Sequence, residues 1–375
     1  MNIYEELGLK TIINASDTYT VIGGSRMEPE VLSAMAEAAR HFVDLEELQE
    51  RVGERLAELT RNEACYVTSG AAAGVLLSAA ACMTGERPEL AAKLPDSSGM
   101  RNEFLICACQ KGQSLSFWHM IETAGGKIVW VDSDEAAFEA AMGDRTAGIF
   151  CFPGALDWEE ALPLEVLVDI GRRNRIPVIV DAAAQLPPVE RLWEYTRGYG
   201  ADLAIFSGGK YIRGPQSTGM ILGSKELIRA CRINGSPNEM IGRPSKVGKE
   251  EFIGLLTALE RLMSADFTAL NRTYHAYLDE VTQALEGIPG IKTYKTSTGT
   301  LGQSYPLLII ELPEGMNGDK VHHDMRKGVP AIDIRCFFWR NEYDKVFVNP
   351  ICLEPHEPAI IAGRLREHFL SEITI

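Results

Sequence analysis

The chain reads as an α/β protein, with a mostly parallel, seven-stranded sheet in a large domain and a smaller α+β domain at the C-terminus. Three observations predict this. Short, continuously apolar runs recur up to Gly223; helical patterns separate several of them; and after about Gly248 the chain turns to long helical periodicity and then to strand-like runs broken by Pro, Gly and Asn. Runs that are apolar without alternation suit strands buried on both faces, as in parallel sheets covered by helices.

The candidate strands of the large domain are "EACYVTS", "NEFLICA", "KIVWVD", "AGIFCF", "IPVIVD", "DLAIFS" and "TGMILG". "AAAGVLLSAAACM" and "LEVLVDIGRRNR" are helical stretches between them. "TGMILG" follows "DLAIFS" too closely for a crossover helix, which makes that pair antiparallel or irregular. Residues 1–248 are assigned to an N-terminal arm and the large domain, and residues 249–375 to a long connecting helix and the small domain. The connecting helix is read from the apolar spacing i, i+3, i+4 through "KEEFIGLLTALERLMSADFTALNRTYHAYLDEVTQALEGI". "YPLLIIELP", "AIDIRCFFW" and "DKVFVNP" are the small-domain strands, and "EPAIIAGRLREHFL" is a closing helix.

Composition excludes several classes of function. A formal net charge of -15 repels phosphate backbones, so no nucleic-acid partner is expected. No run of about 18 apolar residues suggests a membrane span. "MNIYEELGLK" lacks the apolar core of a signal peptide, and a cytoplasmic location is expected. The eight cysteines form no C-x-x-C pair and sit mostly in apolar runs, which indicates reduced, buried thiols. "VHHDM" (His322, His323) has no further ligand nearby in sequence and reads as a surface pair on a helix; no metal site is expected.

Three stretches fall at the C-terminal ends of strands, where open α/β sheets bind ligands. In "VTSGAAAGV" a strand gives way at Ser69 and Gly70 to a helix of small residues, whose first N–H groups can hold a phosphate. In "IPVIVDAAAQLPP" Asp181 ends an apolar strand, where a carboxylate needs a partner. In "DLAIFSGGKYIRGPQSTG" Lys210 follows Ser207 and two glycines, which permit unusual backbone angles and the close approach of a ring. Each alone has an ordinary explanation: a common strand-to-helix turn, a capping aspartate, a solvated lysine. In that chain order they suit pyridoxal phosphate, with an aspartate to keep the pyridine nitrogen protonated and a lysine to form a Schiff base with the aldehyde.

The sequence here resembles the pyridoxal-phosphate enzymes of fold type I, within them the group related to bacterial selenocysteine synthase. It looks especially like the D-glucosaminate-6-phosphate ammonia-lyase branch. The resemblance lies in "LGLKTIINASDTYTVIGGSRM", "FVDLEELQERVGERLAELTRNEACYVTSGAAAG", "VDAAAQLPP", "DLAIFSGGKYIRGPQSTG" and "GRPSKVGKEEFIGLLTALE". It implies Lys210 as the Schiff-base lysine and Asp181 as the partner of the pyridine nitrogen. It also implies Ser69, Gly70, Ala71 and Ser207 around the phosphate. The family places a histidine or aromatic side chain over the ring; the aligned position is Gln113, with Phe117, Trp118 and His119 close by. The tRNA-charging relatives carry an extra N-terminal domain that this chain lacks.

Four basic residues are candidates for a substrate anion: Arg26 in "GGSRM", Arg243 and Lys246 in "GRPSKVGK", and Arg335, since a small-domain arginine commonly holds the substrate carboxylate in this fold. The alternative for the "GRPSKVGK" loop, which also carries Lys249, is a solvated helix start. The resemblance implies a lyase that removes water and ammonia from a hydroxylated amino acid or amino sugar acid, free or phosphorylated, to give a 2-keto acid. Racemisation, β-replacement or C–S cleavage of a small amino acid would use the same early chemistry. A non-catalytic cofactor-binding protein is the third reading, and intact Lys210 and Asp181 weigh against it. A homo-oligomer, dimeric or larger, is expected.

Overall fold

The structure is a computed structural model that describes residues 2–111, 118–153 and 160–373. Two compact units emerge, residues 25–264 and residues 1–24 with 265–375.

All seven expected strands form in the larger unit and share one sheet. Its order is Ala64–Thr68, Gly219–Gly223, Leu203–Ser207, Val178–Asp181, Thr146–Cys151, Glu103–Cys107, Lys127–Val131. Gly219–Gly223 runs antiparallel to both its neighbours, and the pairings from Leu203–Ser207 through to Lys127–Val131 are parallel. The strand centres are buried throughout, with Phe104, Ile149, Ile179, Ile205 and Ile221 sealed from solvent. The helix Gly70–Thr84 is apolar on nearly every face and lies in this core. A methyl at Gly74 would run into Ile205, so the missing side chain lets the helix sit close on the sheet.

The smaller unit packs a four-stranded antiparallel sheet, in the order Arg335–Phe337, Glu342–Val348, Leu308–Glu311, Lys292–Lys295, with the helices Phe267–Leu285, Gly318–Lys327 and Glu357–Ile373. The strand Ile12–Asn14 pairs in parallel with Ala331–Asp333, and Ile13 and Ala15 enter this unit's core.

Four expectations are corrected. The long connecting helix is two helices, Lys249–Met263 and Phe267–Leu285, separated where Ser264 ends the first and Asp266 caps the second by accepting the Ala269 N–H. The boundary accordingly falls after Ser264 rather than at Gly248, because Lys249–Met263 packs on the helices Pro29–Ala38 and Leu45–Leu59 of the larger unit. Residues 1–24 group with the smaller unit, not with the large domain, through the strand pairing at Ile12–Asn14. His322 is also more than a surface residue, since its Nδ1 lies 2.6 Å from the Ile334 carbonyl oxygen. All eight cysteines are free thiols, and six of them are buried.

Candidate active site

Strand order brings distant motifs together. Thr68 and Ser207 both pair with Gly219, so the ends of three adjacent strands form one row. Asp181 pairs with Ile205 on the next strand, two residues back from Ser207. Neighbouring strands are about 4.8 Å apart, so motifs 110 or more residues apart in the chain share one sheet edge.

The first motif works through its backbone. Ser69 precedes the helix Gly70–Thr84 without making a side-chain cap, which leaves the first N–H groups of the helix open to an anion. Gly70 takes φ +82, a left-handed conformation that a side chain rarely adopts, and a methyl there would point into open space. The Thr68 hydroxyl donates to the Gly70 carbonyl at 2.9 Å and fixes the turn. From the next strand, a methyl on Gly219 would come within 2.7 Å of the Gly70 carbonyl carbon and 2.9 Å of the Ala71 nitrogen. Gly219 therefore sets the height of the turn, a role its sequence context did not disclose.

Asp181 ends a fully buried strand and is itself 8 % exposed. One carboxylate oxygen accepts the Ala183 N–H at 3.1 Å; among the described residues the other accepts no hydrogen bond. Burial pushes the carboxyl up to about 6, with the Ala183 N–H and the charge of Lys210 acting in the opposite sense. A desolvated carboxylate with one open oxygen is short of a cationic or N–H partner. A protonated pyridine nitrogen has that chemistry, so the donor set fits pyridoxal phosphate.

Lys210 stands just past the strand Leu203–Ser207, near enough to Asp181 for its charge to be felt there. The chain doubles back around it: Gly208 N–H bonds Thr218 O at 2.8 Å, Gly214 N–H bonds Gly208 O at 2.8 Å, and Arg213 N–H bonds Lys210 O at 2.9 Å. A methyl on Gly208 would collide with the Thr218 side chain, and one on Gly209 with the Gln216 backbone. The two glycines are thus required by the fold of the loop itself. Ser25, overlooked in the sequence, donates both its N–H and its hydroxyl to the Gly209 carbonyl at 3.0 Å.

The other candidates divide. Gln113 and Phe117 lie outside the described residues. Trp118 is buried edge-on against Trp130, and His119 is exposed and paired with Glu122 at 2.9 Å. Arg26 is exposed. Arg243 pairs with Glu239 at 3.1 Å and, with Lys246, lines a cavity of about 580 Å³ bounded by Leu94, Met240 and Pro244. Lys249 is taken up structurally, donating to the carbonyls of Ala38 and Ala39 at the C-terminal end of the helix Pro29–Ala38. Arg335, in the smaller unit, is bound by Asp333.

The chain is 33% identical to the D-glucosaminate-6-phosphate ammonia lyase of Salmonella typhimurium, over 98% of this chain and 97% of that protein. The chain belongs to the fold-type I pyridoxal-phosphate family of that lyase. The chain is also 34% identical, over 98% of its length and 92% of the relative's, to a 5'-C-glycyluridine monooxygenase-decarboxylase of Streptomyces sp.. An L-seryl-tRNA(Sec) selenium transferase of Alkaliphilus metalliredigens is 24% identical over 79% of this chain and 62% of its own. A solved structure of D-glucosaminate-6-phosphate ammonia-lyase matches with a TM-score of 0.84 at 30% identity, over 99% of both chains. The ureidoglycine-glyoxylate aminotransferase of Bacillus subtilis, at 14% identity and TM-score 0.61, shares the fold. No family model matches the chain.

Proposed function

We propose that this chain is a pyridoxal-phosphate-dependent ammonia-lyase acting on a hydroxylated amino acid or amino sugar acid, of the kind represented by D-glucosaminate 6-phosphate. The observation that carries the reading is the pairing at one sheet edge of a buried, under-bonded Asp181 with the charge of Lys210, in a chain so similar over its length to a lyase of that name. Lys210 would hold the cofactor covalently, Asp181 its ring nitrogen, and Ser69, Gly70, Ala71 and Ser207 its phosphate. Bound there, pyridoxal phosphate supplies an electron sink for the carbanion at the substrate's Cα.

The chain's own groups then act on protons and charge. The Lys210 Nζ would serve as the base that takes the proton from the substrate's Cα. Asp181, a carboxylate that burial withholds from water, would hold a proton on the ring nitrogen of the bound cofactor. The β-hydroxyl leaves as water, and water is taken up again as ammonia departs, so the net change is loss of ammonia and formation of a 2-keto acid. Arg26, Arg243, Lys246 and Arg335 are the candidates for a substrate anion.

The test offers purified protein D- and L-amino acids and amino sugar acids, with ammonia and keto acid measured together. Equal release of both supports the lyase. Inverted chirality without ammonia would mean a racemase, and a spectral change without product a binding protein. The Streptomyces relative favours a second reading, in which oxygen is consumed and carbon dioxide released. An oxygen electrode on the same samples separates the two.

We infer also that the chain works as a homo-oligomer in the cytoplasm. Phe42 is fully exposed, with Val43, Leu45 and Leu32 also open to solvent, side chains that a second copy could cover. No helix among the described residues is long and apolar enough to cross a membrane. Light scattering of active enzyme tests the first statement, and an active monomer would refute it.

A further inference from the structure

Within the larger unit, one short segment grips the loop that carries Lys210 at two points. The carbonyl of Gly209, the residue before Lys210, accepts both the Ser25 N–H and the Ser25 hydroxyl, each at 3.0 Å. The carbonyl of Lys210 itself accepts the Arg213 N–H at 2.9 Å. Arg213 takes φ +60, a left-handed conformation that a residue with a side chain rarely adopts. Its guanidinium is ion-paired with one carboxylate oxygen of Glu28, the residue that precedes the helix Pro29–Ala38. Arg261 approaches the other Glu28 oxygen at 3.8 Å and Glu30 at 3.4 Å. Ser25, Glu28 and Arg213 are all partly buried.

This arrangement has a geometric consequence. Peptide groups are planar, so holding the carbonyls of residues 209 and 210 holds the two planes that flank the Lys210 Cα. That fixes the direction in which the lysine side chain leaves the loop. The second plane is only as firm as the strained turn at Arg213, and a strained conformation persists when its surroundings restrain it. Glu28 supplies that restraint through the guanidinium. Both holds on Lys210 thus come from residues three apart in the chain.

We propose that Ser25 and Glu28 are positioning residues, which set the root of Lys210 so that its Nζ meets the cofactor aldehyde. The inference rests on the reading of Lys210 as the Schiff-base lysine. It adds that two residues without an assigned role determine how fast that bond is made. The neutral Nζ adds to the aldehyde carbon, and the aldehyde oxygen leaves as water with the two Nζ protons.

The test strips the holoenzyme of cofactor with hydroxylamine, adds pyridoxal phosphate back and follows the visible absorbance of covalent capture. Pyridoxine 5'-phosphate, which lacks the aldehyde, serves as a calorimetric probe of binding without capture. Glu28→Gln should slow capture by about ten- to hundredfold, the worth of a charge-assisted hydrogen bond. Ser25→Ala keeps its N–H bond and should slow capture several-fold; it provides an independent measure should Glu28→Gln fail to fold. Neither should weaken pyridoxine 5'-phosphate. In an Arg213→Gly background Glu28→Gln should add nothing further, because no guanidinium remains to be held and glycine takes positive φ freely. Glu30→Gln removes a partner of Arg261 from the same helix and should leave capture unchanged.

If borohydride labels Lys210 in the unmodified enzyme while Glu28→Gln and Ser25→Ala capture at the native rate, the positioning proposal falls and the reading of Lys210 stands. A native rate in only one of the two variants removes that residue from the pair. If the label sits on another lysine, or the unmodified enzyme captures no cofactor, both readings fall. Equal slowing by Glu30→Gln, or loss of pyridoxine 5'-phosphate affinity in step with capture, would make the effect one of general folding and overturn the assignment.

Discussion

The two units of this chain are built on different principles. Residues 25–264 are continuous in sequence, and each of their seven sheet strands was legible as a short apolar run. The other unit joins residues 1–24 to residues 265–375, with the strand Ile12–Asn14 paired to Ala331–Asp333 from the far end of the chain. In the first unit the candidate site residues stand at strand ends. In the second, Arg335 is held by Asp333 and by the ring of Tyr19, from separate segments. Local signals read well where contacts are repeated and regular, and poorly where a single long-range pairing decides membership.

Predictions can be ranked by how strongly they separate the two units. The largest effect concerns the larger unit. Lys210→Ala should abolish covalent retention of the cofactor and lower turnover by about a thousandfold or more. Borohydride reduction of the unmodified holoenzyme should attach the cofactor to the peptide holding Lys210; a label on another lysine removes the assignment.

Next comes a core truncation in the smaller unit. Ile332 is fully buried beside the paired strand, and Ile332→Ala should cost about 2–5 kcal/mol. Hydrogen exchange should then quicken at residues 12–14 and 331–333 together, since one pairing holds both. Faster exchange in only one of these strands would argue against the parallel pairing.

Asp181→Asn should change two quantities in opposite directions. Activity should fall, because an amide does not sustain a protonated ring nitrogen. The cofactor-free protein should gain stability at pH 7 by roughly 3 kcal/mol, the worth of about two pKa units. The sign follows from linkage: the folded carboxyl is raised from 3.8 to about 6, so the folded state binds more protons between those values. The native aspartate's contribution is complete below about pH 4 and is lost as pH rises through about 6. Thermal melts of cofactor-free native and variant protein should therefore converge toward pH 4. A constant gap from pH 4 to 7 would refute the burial of Asp181.

Gly219→Ala should destabilise the larger unit by about 1–3 kcal/mol, as overpacking does, and loosen the Gly70 turn that its methyl would strike. A cofactor titration should show weaker binding. Unchanged affinity would mean the turn does not hold the phosphate.

The smallest effect is expected for the fold contribution of Arg243. Its ion pair with Glu239 is largely exposed, and such pairs are worth about 0–1 kcal/mol. Arg243→Ala should leave the melting temperature nearly unchanged. If the cavity lined with Lys246 receives an anion, KM or cofactor affinity should still shift by about tenfold or more. No shift in either would return Arg243 to the surface.

The sequence by itself determined the strands, the order of Ser69, Asp181 and Lys210 along the chain, and the family. These rest on apolar runs, strand-end placement and contiguous motifs, all properties of neighbouring residues. It did not disclose that the loop itself requires the glycines beside Lys210, since only folding puts Thr218 and Gln216 where side chains on Gly208 and Gly209 would be. It drew one helix through Ser264, because apolar periodicity continues past a break that Asp266 makes by capping. Tertiary structure alone decided that Thr68, Gly219 and Ser207 stand in one row, that one oxygen of Asp181 accepts no hydrogen bond among the described residues, and that Asp333 grips Arg335. The physical reason is common to all three: strand order and burial arise from packing among distant segments, and a carboxylate's missing partner exists only once water has been removed from around it.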